Sequence, residues 1–336
     1  MAYISRRGVL AGASALGFAG GTGMLAALAP TAAAADTSGY KALVCVFLKG
    51  GLDGADTVLP LDAASHDALR EARGDLFGAY GVGSGSSSRD RERAIIAWLD
   101  HCWRADAEAF YLVGDLFEFW FEWRHVVPRG YVRFLGKLAE LVDDGIAVHI
   151  FTGNHDLWMS DYLSHEVGAT IHRRPQRLRL EGWEVMVGHG DGLGPGDRGY
   201  KLMKKVFVAG WARWLYARLH PNFAVWLARL FSQRSREAQP AEAAFLGPER
   251  EWLVAYAERK LKQDPTLEVF IFGHRHLNID HTLSNGQSRY INLGEWLYGQ
   301  SYCRIDESSV KVLSWTGKSE QNSDYLEGKP PGVKSV

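Results

Sequence analysis

Five short apolar runs, each closing on glycine and a polar cluster, set the pattern of this chain. Residues 109–113 lead into Gly114-Asp115, and 147–151 into Gly153-Asn154-His155-Asp156. Residues 185–187 lead into Gly188-His189-Gly190-Asp191, 269–272 into Gly273-His274-Arg275-His276, and 290–293 into Gly294-Glu295-Trp296. Short, continuous apolar runs bounded by turn residues predict buried strands. Polar residues placed directly after buried strands are how α/β folds build sites, on loops held by a sheet. Residues 41–48 (KALVCVFL) predict another buried strand, followed by a tight turn at Gly50-Gly51-Leu52-Asp53-Gly54. Asp53 and Asp56 read as turn carboxylates.

A different pattern fills the stretch between the third and fourth motifs. Residues 198–236 contain no acidic residue. Lys201, Lys204, Lys205, Arg213, Arg218, Arg229, Arg234 and Arg236 alternate there with Phe207, Trp211, Trp214, Leu215, Phe223, Trp226 and Leu230. Basic and aromatic residues at helical spacing suit a helix that lies at an apolar interface. Pro221 divides the segment into two helices, which predicts a helical-hairpin cap over about residues 198–262. Such a cap can hold acyl chains on one side and phosphates on the other; the alternative is an amphipathic pair packed on its own core. Arg173, Arg174 and Arg177 form a second basic cluster, which contacts phosphate or solubilises a loop. Arg173, Arg174, Lys201, Lys204 and Lys205 are therefore the candidate substrate-binding residues.

Composition adds limits. The 336 residues are 46% apolar and 23% charged, enough apolar mass for a substantial core. A net charge of −1 gives no global field for nucleic acid, and none is expected as a partner. Cys45, Cys102 and Cys303 lie far apart, so neither a disulfide framework nor a zinc ribbon follows. Residues 1–35 read as an export signal: paired arginines at Arg6-Arg7, a Gly/Ala-rich apolar run and an A-x-A end. Residues 78–88 (GAYGVGSGSSS) have linker composition. The expected organisation is a signal over 1–35, a separate front piece with linker over 36–87, a catalytic domain over 88–316, and a disordered tail over 317–336. Front residues to about Ser84 are expected to be loosely attached.

The polar clusters carry the chemistry. Glycine before each one lets the backbone turn sharply and approach a ligand. Asp, Asn and His form a mixed oxygen and nitrogen donor set that suits Mn²⁺, Fe²⁺ or Zn²⁺. The order GD, GNHD, HGD, GHxH, each after a strand, resembles the calcineurin-like metallophosphoesterases. The resemblance narrows at YLVGDLFEFW (111–120), HGDGL (189–193), GHRH (273–276) and NLGEW (292–296), which are similar to the UDP-2,3-diacylglucosamine hydrolase family of lipid A synthesis. It runs over about residues 88–314. Residues 1–75 instead resemble the opening of a twin-arginine-exported family with a sulfatase-like fold.

The first resemblance implies a four-layer α/β/β/α sandwich with the helical-hairpin cap. It implies two divalent cations, Mn²⁺ by preference, set about 3.5–4 Å apart. Asp115 would bridge them; Asn154, His189 and His274 would complete the second site and His276 would serve the first. His155 would be the catalytic acid or charge stabiliser beside the phosphate. The implied reaction splits the pyrophosphate of UDP-2,3-diacylglucosamine into UMP and 2,3-diacylglucosamine 1-phosphate, with the cap against a membrane surface. One part of the family's pattern is missing: no Asp-x-His precedes Asp115, and the nearest candidate, Asp75, has Phe77 in the histidine's place. Residues 41–48 are the candidate to fill the vacant strand position, and the first cation site is expected to be weak or absent. Hydrolysis of another phosphate ester, or an inactive lipid-binding remnant, are the alternatives. The family implies the cytoplasmic face of the inner membrane, whereas the signal implies export to the periplasm.

Overall fold

The computed structural model describes residues 42–45, 88–194, 198–238, 245, 247–296, 300–317 and 319–322. The expected signal, the turn carboxylates Asp53 and Asp56, the pair Asp75 and Phe77, and the linker residues up to 87 all lie outside the described residues.

Two sheets form the centre. Strands β1 (Ala42–Cys45), β2 (Ala109–Leu112), β3 (Ala147–Phe151) and β4 (Thr170–His172) run parallel. With the antiparallel β10 (Ser301–Asp306), β11 (Ser309–Trp315) and β12 (Glu320–Asn322) they make one sheet of order β12-β11-β10-β1-β2-β3-β4. The second sheet comprises β5 (Gln176–Leu180), β6 (Trp183–Gly188), β7 (Val269–Phe272), β8 (Asn278–Thr282) and β9 (Arg289–Leu293) in the order β5-β6-β7-β9-β8. Strands β6, β7 and β9 are its parallel core.

The two-residue period of a strand explains the layering, because successive side chains face opposite sides. In β2, Phe110 and Leu112 turn outward to meet the helices α1 (Ser88–Arg104) and α2 (Val132–Asp143). Ala109, Tyr111 and Val113 turn inward and pack on Val185, Val187, Ile271 and Ile291 of the other sheet. In β7 the same alternation sends Ile271 to the inter-sheet core and Phe270 and Phe272 outward, onto Leu253, Ala257 and Leu261 of α7 (Trp252–Gln263). The result is the four-layer α/β/β/α sandwich. Trp98 of α1 is fully buried, with its ring 5.7 Å from Phe110, 5.3 Å from Trp296 and 5.2 Å from Tyr302. Truncating such a residue costs about 3–5 kcal/mol.

Four expectations change. The sheet takes in chain from both sides of the 88–316 span. β1 pairs with β2 from Ala42↔Ala109 to Cys45↔Leu112, so this part of the front piece is integral to the fold. β12, within the expected disordered tail, pairs with β11, and Glu320 accepts hydrogen bonds from Tyr302 and Arg304. The segment after β6 forms three helices rather than two: α4 (Arg198–Val208), α5 (Gly210–Tyr216) and α6 (Pro221–Ala238). The added break sits at Ala209, whose extended backbone (φ −66°, ψ 137°) cannot continue a helix. Finally, α7 is not part of a cap, because its apolar face is built into the core. The short helix α3 (Tyr162–His165) precedes β4.

Candidate metal centre

All five polar clusters lie at the carboxyl ends of parallel strands β2, β3, β6, β7 and β9. Three side chains from three of them converge. Asp115, His189 and His274 each offer one donor atom, and these atoms lie within 4.8 Å of one another. Asn154 joins them, with its Oδ1 3.1 Å from His189 Nε2. Asp115 Oδ2 is 3.5 Å from the same nitrogen.

Local backbone geometry makes the convergence possible. Asp115, His274 and His276 have positive φ values of 51°, 69° and 56°. Left-handed backbone at non-glycine residues costs on the order of 1–3 kcal/mol each and persists only where its surroundings impose it. The glycines relieve crowding rather than adding strain. A Cβ on Gly114 would stand 2.5 Å from His189 Nδ1, and one on Gly153 would stand 2.4 Å from the Asp115 backbone nitrogen. Asp156 ties the two loops together: its carboxylate accepts from Leu116 N at 2.8 Å and from Gly153 N at 2.6 Å. Burial, together with the neighbouring Asp115 carboxylate, pushes Asp156 above the usual carboxylate range.

The electrostatics fit a cation. His189 Nδ1 donates to Val113 O at 2.9 Å. In the neutral ring, Nε2 then presents a lone pair to Asp115 Oδ2 and Asn154 Oδ1, so three electron-pair donors face one another. His274 Nδ1 is buried with no hydrogen-bond partner among the described residues. Burial holds the His274 imidazole down at about 3, aided by His189 and opposed by Asp191 and Asp115, so the ring is neutral and ligand-ready. Orphaned buried nitrogen, converging donors and an O/N set without thiolate together fit a divalent cation of the Mn²⁺, Fe²⁺ or Zn²⁺ kind.

The other sequence-derived residues divide. His155 sits at the edge of the centre: its backbone N–H donates to Asp115 Oδ1 at 2.9 Å, and its Nδ1 donates to Glu118 O at 3.1 Å. That leaves its Nε2 3.9 Å from Asp115 Oδ2. His276 stands outside the three-residue group, and its Nδ1 lies 3.3 Å from Glu295 Oε2. Such carboxylate–histidine contacts orient ligand rings. Arg173 spends its guanidinium on Met159 O at 2.9 Å and Ser160 O at 3.3 Å. Lys201 donates to Gly194 O and Lys204 pairs with Asp191, so both lysines tie α4 to the loop after His189. Burial works against the Asp191 carboxylate, but His189, Lys204 and His274 together hold it below its ordinary value. Arg174 and Lys205 are exposed.

The α4–α6 cap docks beside this centre. Trp158, two residues past the GNHD cluster, donates from Nε1 to Phe207 O at 2.7 Å, and its ring lies 4.7 Å from Tyr216. Arg213 reaches Ser160 Oγ at 3.1 Å. Among the described residues, ten of the twelve exposed large apolar side chains lie between Leu202 and Trp226, with Trp211 64%, Trp214 59% and Trp226 55% exposed. A concentrated apolar surface of this kind marks an interaction site. No helix among the described residues is long and apolar enough to cross a membrane.

Asp156, Asp191 and Glu295 lie inside the strand-end motifs as supports that the motif pattern alone does not distinguish, and Glu251 lies outside every motif. Glu251 N-caps α7 and grips Arg275 within the GHRH turn. A carboxylate inside a glycine-rich strand-end motif was an available signal for the first three.

No family model matches the chain. The UDP-2,3-diacylglucosamine hydrolase of Porphyromonas gingivalis is 38% identical over 235 residues, spanning 66% of this chain and 89% of that protein. The UDP-2,3-diacylglucosamine hydrolase of Aeromonas hydrophila is 28% identical over 228 residues, spanning 66% of this chain and 91% of its own. Among solved structures, Vacuolar Protein Sorting 29 of Cryptosporidium parvum superposes over 84% of this chain and 100% of its own with TM-score 0.35 and 12% identity.

Proposed function

The chain belongs to the UDP-2,3-diacylglucosamine hydrolase family, and from that premise we propose that it splits the pyrophosphate of UDP-2,3-diacylglucosamine, yielding UMP and 2,3-diacylglucosamine 1-phosphate for lipid A synthesis. The observation that carries this reading is the convergence of Asp115, His189 and His274, with Asn154, beside an exposed aromatic cap.

Asp115, Asn154, His189 and His274 hold a divalent cation, Mn²⁺ in this reading. When bound, such a cation neutralises phosphoryl oxygens and makes water acidic enough to act as a nucleophile near neutrality. The protein's own part is positioning and proton management. Water oxygen bonds to one phosphorus of the pyrophosphate as its bridging P–O bond breaks, and the other phosphorus departs as a phosphate monoester, so that UMP and 2,3-diacylglucosamine 1-phosphate result. With Nδ1 donating to Glu118 O, the doubly protonated His155 ring turns its Nε2–H toward the centre, where it would steady charge or deliver a proton to the departing oxygen. The exposed Trp211, Trp214 and Trp226 meet the acyl chains and the membrane surface, while Arg174 and Lys205 remain for phosphate. With no Asp-x-His before Asp115, one cation is held tightly and a second only weakly.

Incubation with UDP-2,3-diacylglucosamine and Mn²⁺ should release UMP, and Asp115→Ala should abolish it. Turnover by Asp115→Ala sinks the assigned site. Two tightly held cations by elemental analysis sink the one-site expectation. Cleavage of a generic phosphodiester without UMP release favours a different phosphate ester.

A further inference from the structure

The turn that carries His274 and His276 is held from outside the centre. Both histidines sit in left-handed backbone. Between them, the Arg275 backbone N–H donates to Gly273 O at 2.8 Å, which closes the turn. The Arg275 guanidinium does not point to solvent. Its Nε lies 2.8 Å and 3.1 Å from the two carboxylate oxygens of Glu251. Both partners are withdrawn from water: the Glu251 side chain is 2% exposed and that of Arg275 11%. Shared between both oxygens in a dry setting, this is a strong and directional form of ion pair.

Glu251 is itself fixed. It is the N-cap of α7, where its carboxylate accepts from Leu253 N at 3.5 Å, and its carbonyl accepts from Ala255 N. The next turns of α7 bury Leu253, Ala257 and Leu261 against the outward face of β7. Trp252, the first residue of α7, sets its ring 5.7 Å from that of His274. A rigid helix, a capping carboxylate and a guanidinium thus form one chain of contacts ending between the two histidines.

We propose that Glu251, acting through Arg275, is a positioning residue that holds the His274–His276 turn in its cation-binding geometry. The proposal rests on the cation-binding reading of the centre. A left-handed turn without this brace relaxes toward ordinary backbone, and the His274 donor swings away from Asp115 and His189. Residues that orient metal ligands from behind typically change affinity about 10–100-fold when removed.

A purely structural ion pair would give a different result, and a double variant separates the two. Glu251→Gln alone leaves the Arg275 charge buried without its counter-ion and lowers the melting temperature. Glu251→Gln combined with Arg275→Met removes both charges and recovers most of that loss. Mn²⁺ binding to the metal-stripped full-length chain is then measured by calorimetry, alongside thermal unfolding and UMP release. The expected result is a Kd raised about 10–100-fold in both variants, although the double variant melts near wild type. A double variant with wild-type melting and wild-type Kd overturns the proposal. Arg275→Lys, which keeps the charge but loses the guanidinium geometry, provides a folded variant in any case; its expected Kd is also raised, and an unchanged Kd is equally fatal. The wild-type chain and Asp115→Ala are run beside them. If the wild-type chain takes up no Mn²⁺, the cation-binding reading falls and the brace with it. If it binds and Asp115→Ala does not, the centre stands and the variants judge the brace alone.

Discussion

Adding one methyl group at Gly153 tests the site geometry most directly. The Cβ of Gly153→Ala would stand 2.1 Å from Asp115 Oδ1, 2.4 Å from Asp115 N and 2.8 Å from its Cγ. Real Cβ contacts essentially never fall below 3.0 Å, so the backbone contact at 2.4 Å has to open by more than half an ångström. A rotamer change can move Oδ1 but cannot move the amide nitrogen. The shift therefore passes into the Asp115 main chain, which is already left-handed at φ 51°. Overpacking of this kind costs about 1–3 kcal/mol of stability. The functional cost is larger, because displacing a reacting group by about 1 Å can cost on the order of 10²-fold in rate. Gly136→Ala in α2 is the matched control: its Cβ meets nothing within 4 Å, and removing a helical glycine stabilises by about 0.5–1 kcal/mol. Urea unfolding, Mn²⁺ calorimetry and UMP release should show Gly153→Ala impaired in all three and Gly136→Ala impaired in none. A Gly153→Ala chain with wild-type turnover and Mn²⁺ affinity would refute the close packing of these loops against Asp115.

Two further outcomes follow from groups away from the centre. Burial, and then the neighbouring His172 with its Nε2 3.1 Å away, lower the His149 pKa to about 4 from an ordinary 6.5. The unfolded chain therefore takes up a proton between pH 6.5 and 4 that the folded chain refuses, so stability present above pH 6.5 is lost as pH falls through that window. After discounting for the ring's partial exposure, this amounts to up to about 2 kcal/mol. His149→Gln should flatten the drop in urea midpoint between pH 7.5 and 5; an equal drop in both chains rules the pair out as its source. In the cap, Trp211→Ser with Trp214→Ser should weaken sedimentation with anionic vesicles several-fold at unchanged melting temperature, since both rings are more than half exposed. Unchanged sedimentation would refute the membrane contact proposed for the cap.

What could be read from the chain, and what could not, divides by the range of the interaction. Asp115, Asn154, His189 and His274 were legible because each follows a buried strand and a glycine; β2 and β3 belong to one sheet and β6 and β7 to the other, and the face-to-face packing of the two sheets brings these strand ends together. The continuous apolar runs at 109–113 and 269–272 marked buried strands, whereas the sandwich itself was implied by the family resemblance. The supports were not. Asp156 meets Leu116 across 40 positions and Glu251 meets Arg275 across 24, and no local pattern announces either pair. β12 is polar throughout and carries no period-two signal, because its place comes from backbone pairing with β11. α7 and the cap helices share basic and aromatic composition, and only the burial of Leu253, Ala257 and Leu261 separates them.

Lys201 and Lys204 of the basic stripe have protein partners that composition alone does not show. Residues 198–236 lack acids, which pointed Lys201 and Lys204 toward phosphate. The acid they were missing lies just upstream: Asp191 pairs with Lys204, and the Gly194 carbonyl takes Lys201. Asp191 also feels His189 and His274, so the first cap helix is electrostatically joined to the loop that supplies a cation ligand. The exposed aromatic side chains and the donor cluster are thus two ends of one connected piece of structure. Trp211 and Trp214 lie on α5, across the Ala209 break from the α4 helix that Lys204 anchors beside His189. The proposed function therefore predicts that a soluble phosphate ester, which has no acyl chain to set against the cap, is turned over more slowly than the acylated substrate.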